Sequence, residues 1–329
     1  MKAMLIKEFG DSSVFTQADV PKPAPTQGQV LIRVEASSVN PVDYKIRRYG
    51  LPIAPALPAV LHGDVAGTIE AVGEGVGYFQ PGDAVYGCAG GVQGQGGALA
   101  DYMLADARLI AKKPESLDFG ATAALPLVVI TAWEGLIDKA NIQPGQSVLV
   151  HGGTGGVGHI ALQLAKWRGA TVTATASTPE KLQIAKAFGA DEGVNYREET
   201  VTDYVNRLTD GEGFDVVFDS TGGANLPNSF EAAKLNGSVV TPSSSHTYDL
   251  SIMHAKGLSL HVVFMLLPML KNVGRERHGA ILREAASLVD KGHLKPLIDE
   301  DRFGFSQVAQ AHDRLEQKKA VGKVVLLHD

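Results

Sequence analysis

The sequence predicts an α/β protein in two parts, a β-rich region and a doubly wound parallel sheet. Three observations carry that expectation. Residues 1 to about 110 read as short strands broken by Gly and Pro, and after "KKPESLDFGATAAL" strands begin to alternate with amphipathic helices. The third observation is a glycine-rich turn where the first strand of the second part meets its helix. At roughly 150 residues per domain, 329 residues accommodate two cores.

Taken in order, "QVLIRVEASSV", "GTIEAVGEGV" and "DAVYG" are the strands of the first part, and Asp43 is placed to cap a short helix at "YKIRR". In the second part "SVLVHG" leads into "HIALQLAKWRG", "TVTATAS" into "PEKLQIAKAFGA" and "GFDVVFDST" into "LPNSFEAAKLNG". The strands "SVVTPSS" and "LSLHVVF" complete the sheet, and the tail adds the helix "HGAILREAASLVDKG", another near "SQVAQAHDRLEQK" and a last strand, "KVVLLHD". Asn236-Gly-Ser238, formally a glycosylation sequon, reads as a turn before "SVVT".

Composition narrows the function. A hydrophobic fraction of 44% with 20% charged residues is the profile of a globular protein, and the formal charge of -6 without a Lys/Arg cluster argues against nucleic-acid binding. The longest apolar run, "LHVVFMLLPML", is too short to span a bilayer, and "MKAMLIKEFG" lacks a signal-peptide core, so the expectation is a cytoplasmic protein acting on small molecules. The single cysteine, Cys88, fits a reducing compartment and removes any thiolate-rich metal site.

"SVLVHGGTGGVGHIALQLAKWRGA" is the most specific signal. Gly153, Gly155 and Gly158 fit G-x-G-x-x-G directly after an apolar strand and at the mouth of a helix, the Rossmann dinucleotide fingerprint. The first glycine permits the sharp turn, the second the approach of a pyrophosphate, and the third close packing of helix on strand. With Gly156 and Val157 the loop presents the N–H groups of a helix N-terminus to phosphates. Nineteen residues past Gly158, where an NAD enzyme places a carboxylate on the ribose, stands Ser177. Ser177 and Lys181 suit the extra phosphate of NADPH, although Lys181 also reads as solvated helix surface and nearby Glu180 as a group that serves NAD.

With "VNPVDYKIR", "GDVAGTIEAVGEGVGYFQPGDAVYG", "LPLVVITAWEGL", "VLVHGGTGGVGHIALQLAK", "FGADEGVNYREE", "FDSTGG" and a closing "GKVVLL", the chain resembles the medium-chain dehydrogenase/reductase superfamily along nearly its whole length. Within it the sequence is most similar to the zinc-free quinone oxidoreductase, or zeta-crystallin-like, branch. The resemblance implies a GroES-like catalytic domain over 1–123 and 266–329, a Rossmann NADPH-binding domain over 124–265, and an active site in the cleft between them.

The same resemblance implies roles for particular residues. Asn40, Pro41, Val42, Asp43 and Tyr44 match the segment that lines the nicotinamide end, and Thr131 matches a threonine near that ring. Tyr196 matches a tyrosine near the adenosine phosphate, and Thr221, the loop Ser243, Ser244 and Ser245, and the strand Val262, Val263 and Phe264 approach the ribose and nicotinamide. Gly322 and Lys323, in the matching C-terminal motif, are expected cofactor contacts as well. Asp43 as a helix cap, Tyr196 as a surface tyrosine and the serines as an ordinary loop remain alternatives.

"LHGDVAG" raises the question of zinc. Zinc members of the superfamily carry Cys where this chain has Asn40 and Gly-His-Glu where it has His62-Gly63-Asp64, so His62 is one residue out of register and faces the other way. It reads as a packed or hydrogen-bonded histidine, with no metal site. The implied activity is NADPH-dependent hydride transfer to quinones or other α,β-unsaturated carbonyls, with Asn40, Tyr44 or Tyr49 hydrogen-bonding the developing oxyanion. Tyr49 reads equally as an aromatic rim residue. The alternatives are an alkenal or enoyl-thioester reductase and a non-catalytic NADPH-binding scaffold. The apolar strand "LSLHVVF" predicts a homodimer that closes the sheet edge.

Overall fold

Eight strands precede residue 113 in the computed structural model, which describes residues 1–329: β1 (Lys2–Ile6), β2 (Phe15–Asp19), β3 (Gln29–Val39), β4 (Ala59–Val60), β5 (Asp64–Val72), β6 (Ala84–Cys88), β7 (Tyr102–Asp106) and β8 (Ile110–Lys112). The helix α1 (Pro41–Tyr49) interrupts them. Proline at its first turn has no N–H to lose, Asp43 accepts from the Asn40 N–H at 2.7 Å, and Gly50 ends it at φ 56. Strand β3 is long enough to hold several partners. Its first half pairs with β7, and β5 runs antiparallel along most of its length.

Two helices, α2 (Phe119–Ala123) and α3 (Pro126–Trp133), lead into the second set: β9 (Ser147–His151), α4 (Gly158–Trp167), β10 (Thr171–Ala176), α5 (Pro179–Ala187), β11 (Glu192–Asn195), α6 (Val201–Thr209), β12 (Phe214–Asp219), α7 (Leu226–Ala232), β13 (Ala233–Thr241), α8 (Ser251–Lys256) and β14 (Ser259–Val262). The six strands form one parallel sheet in the order β11-β10-β9-β12-β13-β14. Val148, Leu149 and Val150 of β9 are fully buried, as a central parallel strand covered on both faces must be. Strand order reverses at β9, and such a reversal opens a crevice at the carboxyl ends of the strands.

Two sequence expectations shift here. The helix expected across "LPNSFEAAKLNG" stops at Ala232, and its second half is strand. Asn236 takes φ 58 and the β12–β13 register shifts between Phe214 and Val216, so Asn-Gly forms an irregularity inside β13 rather than a turn before it. Both residues are poor helix formers, and pairing with β12 satisfies their backbone better. The last strand is shorter than "LSLHVVF" and ends at Val262.

The chain then adds α9 (Leu267–Lys271), α10 (Arg275–Asp290), β15 (Phe303–Gly304), α11 (Val308–Glu316) and β16 (Val324–Leu327). Strand β16 pairs antiparallel with the second half of β3, Val324 opposite Val39, which completes a sheet in the order β15-β16-β3-β5-β6-β8 with β7 also on β3. That register sets Lys323 beside the junction of β3 and α1. Residues Met1–Leu127 with Leu266–Asp329 make one unit, and Val128–Met265 the other.

Candidate functional site

In the second unit the turn after β9 is built by its backbone. Gly152 adopts φ 72, and the Gly153 N–H donates to the Thr175 carbonyl at 3.1 Å, tying the turn to β10. A Cβ on Gly153 would stand 2.8 Å from that of Ala174, and one on Gly158 would strike the Gly152 carbonyl oxygen. Gly155 is different: its Cβ would meet only the Gly152 oxygen, at 3.2 Å, and is otherwise open. Gly155 leaves room for an approaching ligand and Gly158 for close packing, as the fingerprint expects, whereas the left-handed turn falls to Gly152, and Gly153, expected to make it, packs against Ala174 instead. The residues fit a dinucleotide, whose pyrophosphate the first N–H groups of α4 would hold.

Around this turn, at the carboxyl edge of the sheet, stand most of the expected nucleotide contacts. Ser177 follows β10 and Tyr196 follows β11, one residue beyond the pair Ala176–Asn195, with Tyr196 55% exposed. Lys181 lies in the first turn of α5, which Thr178 caps. Glu180 bonds its own backbone N–H and the Thr178 hydroxyl, and those bonds hold its carboxyl below the ordinary value. Thr221 gives its hydroxyl to Asp219 at 2.6 Å, and the Ser243 N–H turns back onto the Thr241 hydroxyl at 3.1 Å. Thr131 and Val263 are buried, whereas Val262 and Phe264 are exposed.

The first unit holds a polar cluster inside its core. Asp64 Oδ2 accepts from Ser38 Oγ at 2.8 Å and Asn40 Nδ2 at 2.7 Å, Lys323 Nζ lies 3.3 Å away, and Asp64 Oδ1 accepts from the Leu127 N–H at 2.9 Å. Lys323 Nζ also donates to the Val39 carbonyl at 3.3 Å and to Asn40 Oδ1. Asn40 is 1% exposed, Asp64 0% and Lys323 3%. Burial pushes the neighbouring Asp43 carboxyl up to about 7, although the Asn40 N–H it accepts pulls the other way. On α1, Pro41 is exposed, Val42 and Tyr44 are half-buried and Tyr49 is exposed. Gly322 has φ 77 and abuts the Leu297 carbonyl, a backbone role.

Beside this cluster lie two fully buried histidines. Ser37 gives its hydrogen to the Asp64 carbonyl at 2.6 Å, so His62 must donate Nδ1–H to Ser37 Oγ across 3.1 Å. His62 Nε2, a lone pair in the neutral ring, then accepts from His312 Nε2–H at 2.8 Å. Burial pushes His62 down to about 3 and His312 well below its ordinary value.

Comparison with known proteins places the whole chain. A family model for the alcohol dehydrogenase GroES-like domain matches residues 26–115, and one described as zinc-binding dehydrogenase matches 188–326. Human quinone oxidoreductase is 32% identical over 99% of this chain and 98% of its own length.

The chain belongs to the quinone oxidoreductase branch of the medium-chain dehydrogenase/reductase superfamily.

An NADPH-dependent alkenal/one oxidoreductase of Arabidopsis thaliana is 34% identical over 99% of this chain and 79% of its own. Among solved structures, an alcohol dehydrogenase superfamily protein from Novosphingobium aromaticivorans superposes with a TM-score of 0.95 at 40% identity, covering 100% of both chains. Escherichia coli quinone oxidoreductase complexed with NADPH gives 0.88 at 27% identity, covering 99% of this chain and 100% of its own.

Since one matching family model is named for zinc, the donor set can be tested. A side chain at Gly63, the histidine's place in zinc members of the superfamily, would begin 3.0 Å from both Cys88 Sγ and the Gly90 carbonyl oxygen. His62 points instead to Ser37 and His312, and burial raises the Cys88 thiol, which disfavours the thiolate a metal needs. At Asn40 and Asp64 the cation is the ammonium of Lys323. These residues do not fit a catalytic zinc, which needs three protein ligands at tetrahedral spacing.

Sequence reasoning named Lys323 only as a cofactor contact and missed its buried pairing with Asp64. Lys323 stands 283 positions from Asn40, and only the β3–β16 register joins them. The one available signal was a lysine opening an otherwise apolar final strand.

Proposed function

We propose that this protein is a zinc-independent, NADPH-dependent reductase of quinones or other α,β-unsaturated carbonyls. The observation that carries the reading is Lys323, whose ammonium holds the Asn40 and Asp64 oxygens. A saturated carbonyl then lacks a Lewis acid, whereas a conjugated acceptor spreads incoming charge through its own π system. The names of the relatives, quinone oxidoreductase and alkenal/one oxidoreductase, support both acceptor classes, and the NADPH complex of the Escherichia coli protein supports the cofactor.

NADPH, when bound, supplies the hydride. In this reading the turn Gly153–Gly158 with Gly156 and Val157 holds the pyrophosphate, and Ser177, Lys181 and Tyr196 hold the 2′-phosphate. Asn40, Tyr44 and Tyr49 hydrogen-bond the acceptor's oxygen as it gains charge. Burial, then Glu316, then Tyr49 raise the Tyr44 phenol above its ordinary value, so it stays a donor. Pairing of exposed β14 with a second copy makes the assembly a homodimer, and the buried single cysteine goes with a cytoplasmic setting. No helix is long and apolar enough to cross a membrane.

The test is NADPH oxidation followed across quinones, alkenals, enoyl thioesters and saturated aldehydes, before and after chelation. Turnover with conjugated acceptors that survives chelation is expected. Turnover confined to saturated aldehydes, or lost with zinc, would overturn the reading, and tight NADPH binding without turnover would favour a scaffold.

A further inference from the structure

We propose that Asp64 and Lys323 are positioning residues that fix which way the Asn40 carboxamide points. The inference rests on the reading of Asn40 as a donor to the acceptor's oxygen. A carboxamide is nearly symmetric in shape but opposite at its two ends, N–H on one side and oxygen on the other. A half-turn about its last bond would replace a donor aimed at a developing oxyanion with a repelling lone pair.

The structure decides between the two orientations chemically. Asp64 is surrounded by donors from Ser38, Asn40, Lys323 and the Leu127 backbone, so its carboxylate is an acceptor. Lys323 has only hydrogens to give, and they go to Val39, Asn40 and Asp64. A turned amide would set its oxygen against the carboxylate and its hydrogens against the ammonium. Nδ2 therefore faces Asp64, with one N–H bonded there and its second N–H left to serve an acceptor. The backbone is pinned as well, since the Asn40 N–H is held by Asp43 and Lys323 grips the preceding carbonyl.

This role differs from mere structural support, and paired variants separate the two. Lys323→Met and Lys323→Gln both leave Asp64 without its cation, so they cost similar stability. Glutamine keeps an N–H for Asn40 Oδ1, and methionine offers none. Turnover with a quinone should be at least tenfold higher in Lys323→Gln than in Lys323→Met, with NADPH Kd within twofold in both. Asp64→Asn/Lys323→Met removes both charges and should regain Tm relative to Lys323→Met, because apolar or neutral replacement of a whole buried pair is tolerated. Its turnover should nevertheless stay tenfold or more below wild type.

Placed on an Asn40→Ala background, the double change should lower kcat less than twofold further, because its effect passes through the amide. Equal turnover in Lys323→Gln and Lys323→Met, wild-type turnover in the double variant, or undiminished loss on the Asn40→Ala background would each overturn the proposal. A silent Asn40→Ala would instead overturn the underlying reading of Asn40, so the two failures are distinguishable. If the double variant does not fold, the Gln–Met comparison decides alone.

Discussion

The glycine turn after β9 and the polar cluster around Asp64 are built in opposite ways. The turn is made by neighbours in sequence and is shaped by its backbone, Gly152, Gly153, Gly155 and Gly158 contributing no side chains. The cluster is made by side chains from β3, α1, β5 and the residue before β16, brought together only by sheet register. A local, backbone-built turn has no room for an added Cβ at Gly153 or Gly158. A distant, charge-built site tolerates no missing partner.

The largest expected effect attacks that second property. Lys323→Met leaves Asp64 buried and unpaired, and breaking a buried pair costs about 3–5 kcal/mol. Denaturant melts should show that loss, while Lys22→Met, which removes the exposed Lys22–Glu70 pair and the Lys22 contact with the Tyr102 ring, should cost far less. Equal costs would erase the contrast between cluster and surface.

Next in size is the attack on the turn. Gly158→Ala drives a Cβ into the Gly152 carbonyl oxygen, and overpacking of this kind costs about 1–3 kcal/mol. NADPH affinity should fall with stability, because the same backbone shapes the phosphate site. Gly155→Ala, whose Cβ would meet only the Gly152 oxygen at 3.2 Å, should weaken NADPH with a smaller change in Tm than Gly158→Ala. Titration and thermal melts of both variants check the division, and a reversed order would break it.

These contrasts explain what the sequence could reveal. The Gly153–Gly158 turn was legible because strand, turn and helix are contiguous and each glycine answers a steric demand within a few residues. The parallel sheet followed from the same strand–helix alternation. The helix at "AKLNG" was misread because pairing with β12 overrides local pattern. His62 could be read as out of register, but its chain through Ser37 and His312 could not, since His312 lies 250 positions away. The Asp64–Lys323 pair was equally hidden.

The smallest effects are on pH dependence and belong to the cluster's side of the molecule. The folded pKa of His62, about 3, lies below its ordinary 6.5, and that of His312 is also lowered. The unfolded chain binds more protons below pH 6.5, so stability falls as pH drops below that value. Asp43 has the opposite sign. Its pKa rises from 3.8 to about 7, so the folded state binds the extra proton and stability falls as pH climbs through that window. Melts from pH 4 to 8 should show Asp43→Asn gaining on wild type as pH rises and His312→Gln gaining as it falls. Parallel pH profiles for wild type and variants would remove these groups from the account.

The central claim is that the turn side of the molecule binds cofactor while the α1 side handles the acceptor. It is tested most directly by measuring NADPH Kd and quinone kcat in Lys181→Ala and Asn40→Ala together. Lys181→Ala should weaken NADPH by about ten- to one-hundredfold, the worth of a charge-assisted hydrogen bond, with NADH affinity and kcat nearly unchanged. Asn40→Ala should lower kcat by about 10² to 10³ with NADPH Kd nearly unchanged, the scale of one lost oxyanion donor. Loss of both quantities in both variants, or of neither, would contradict the account.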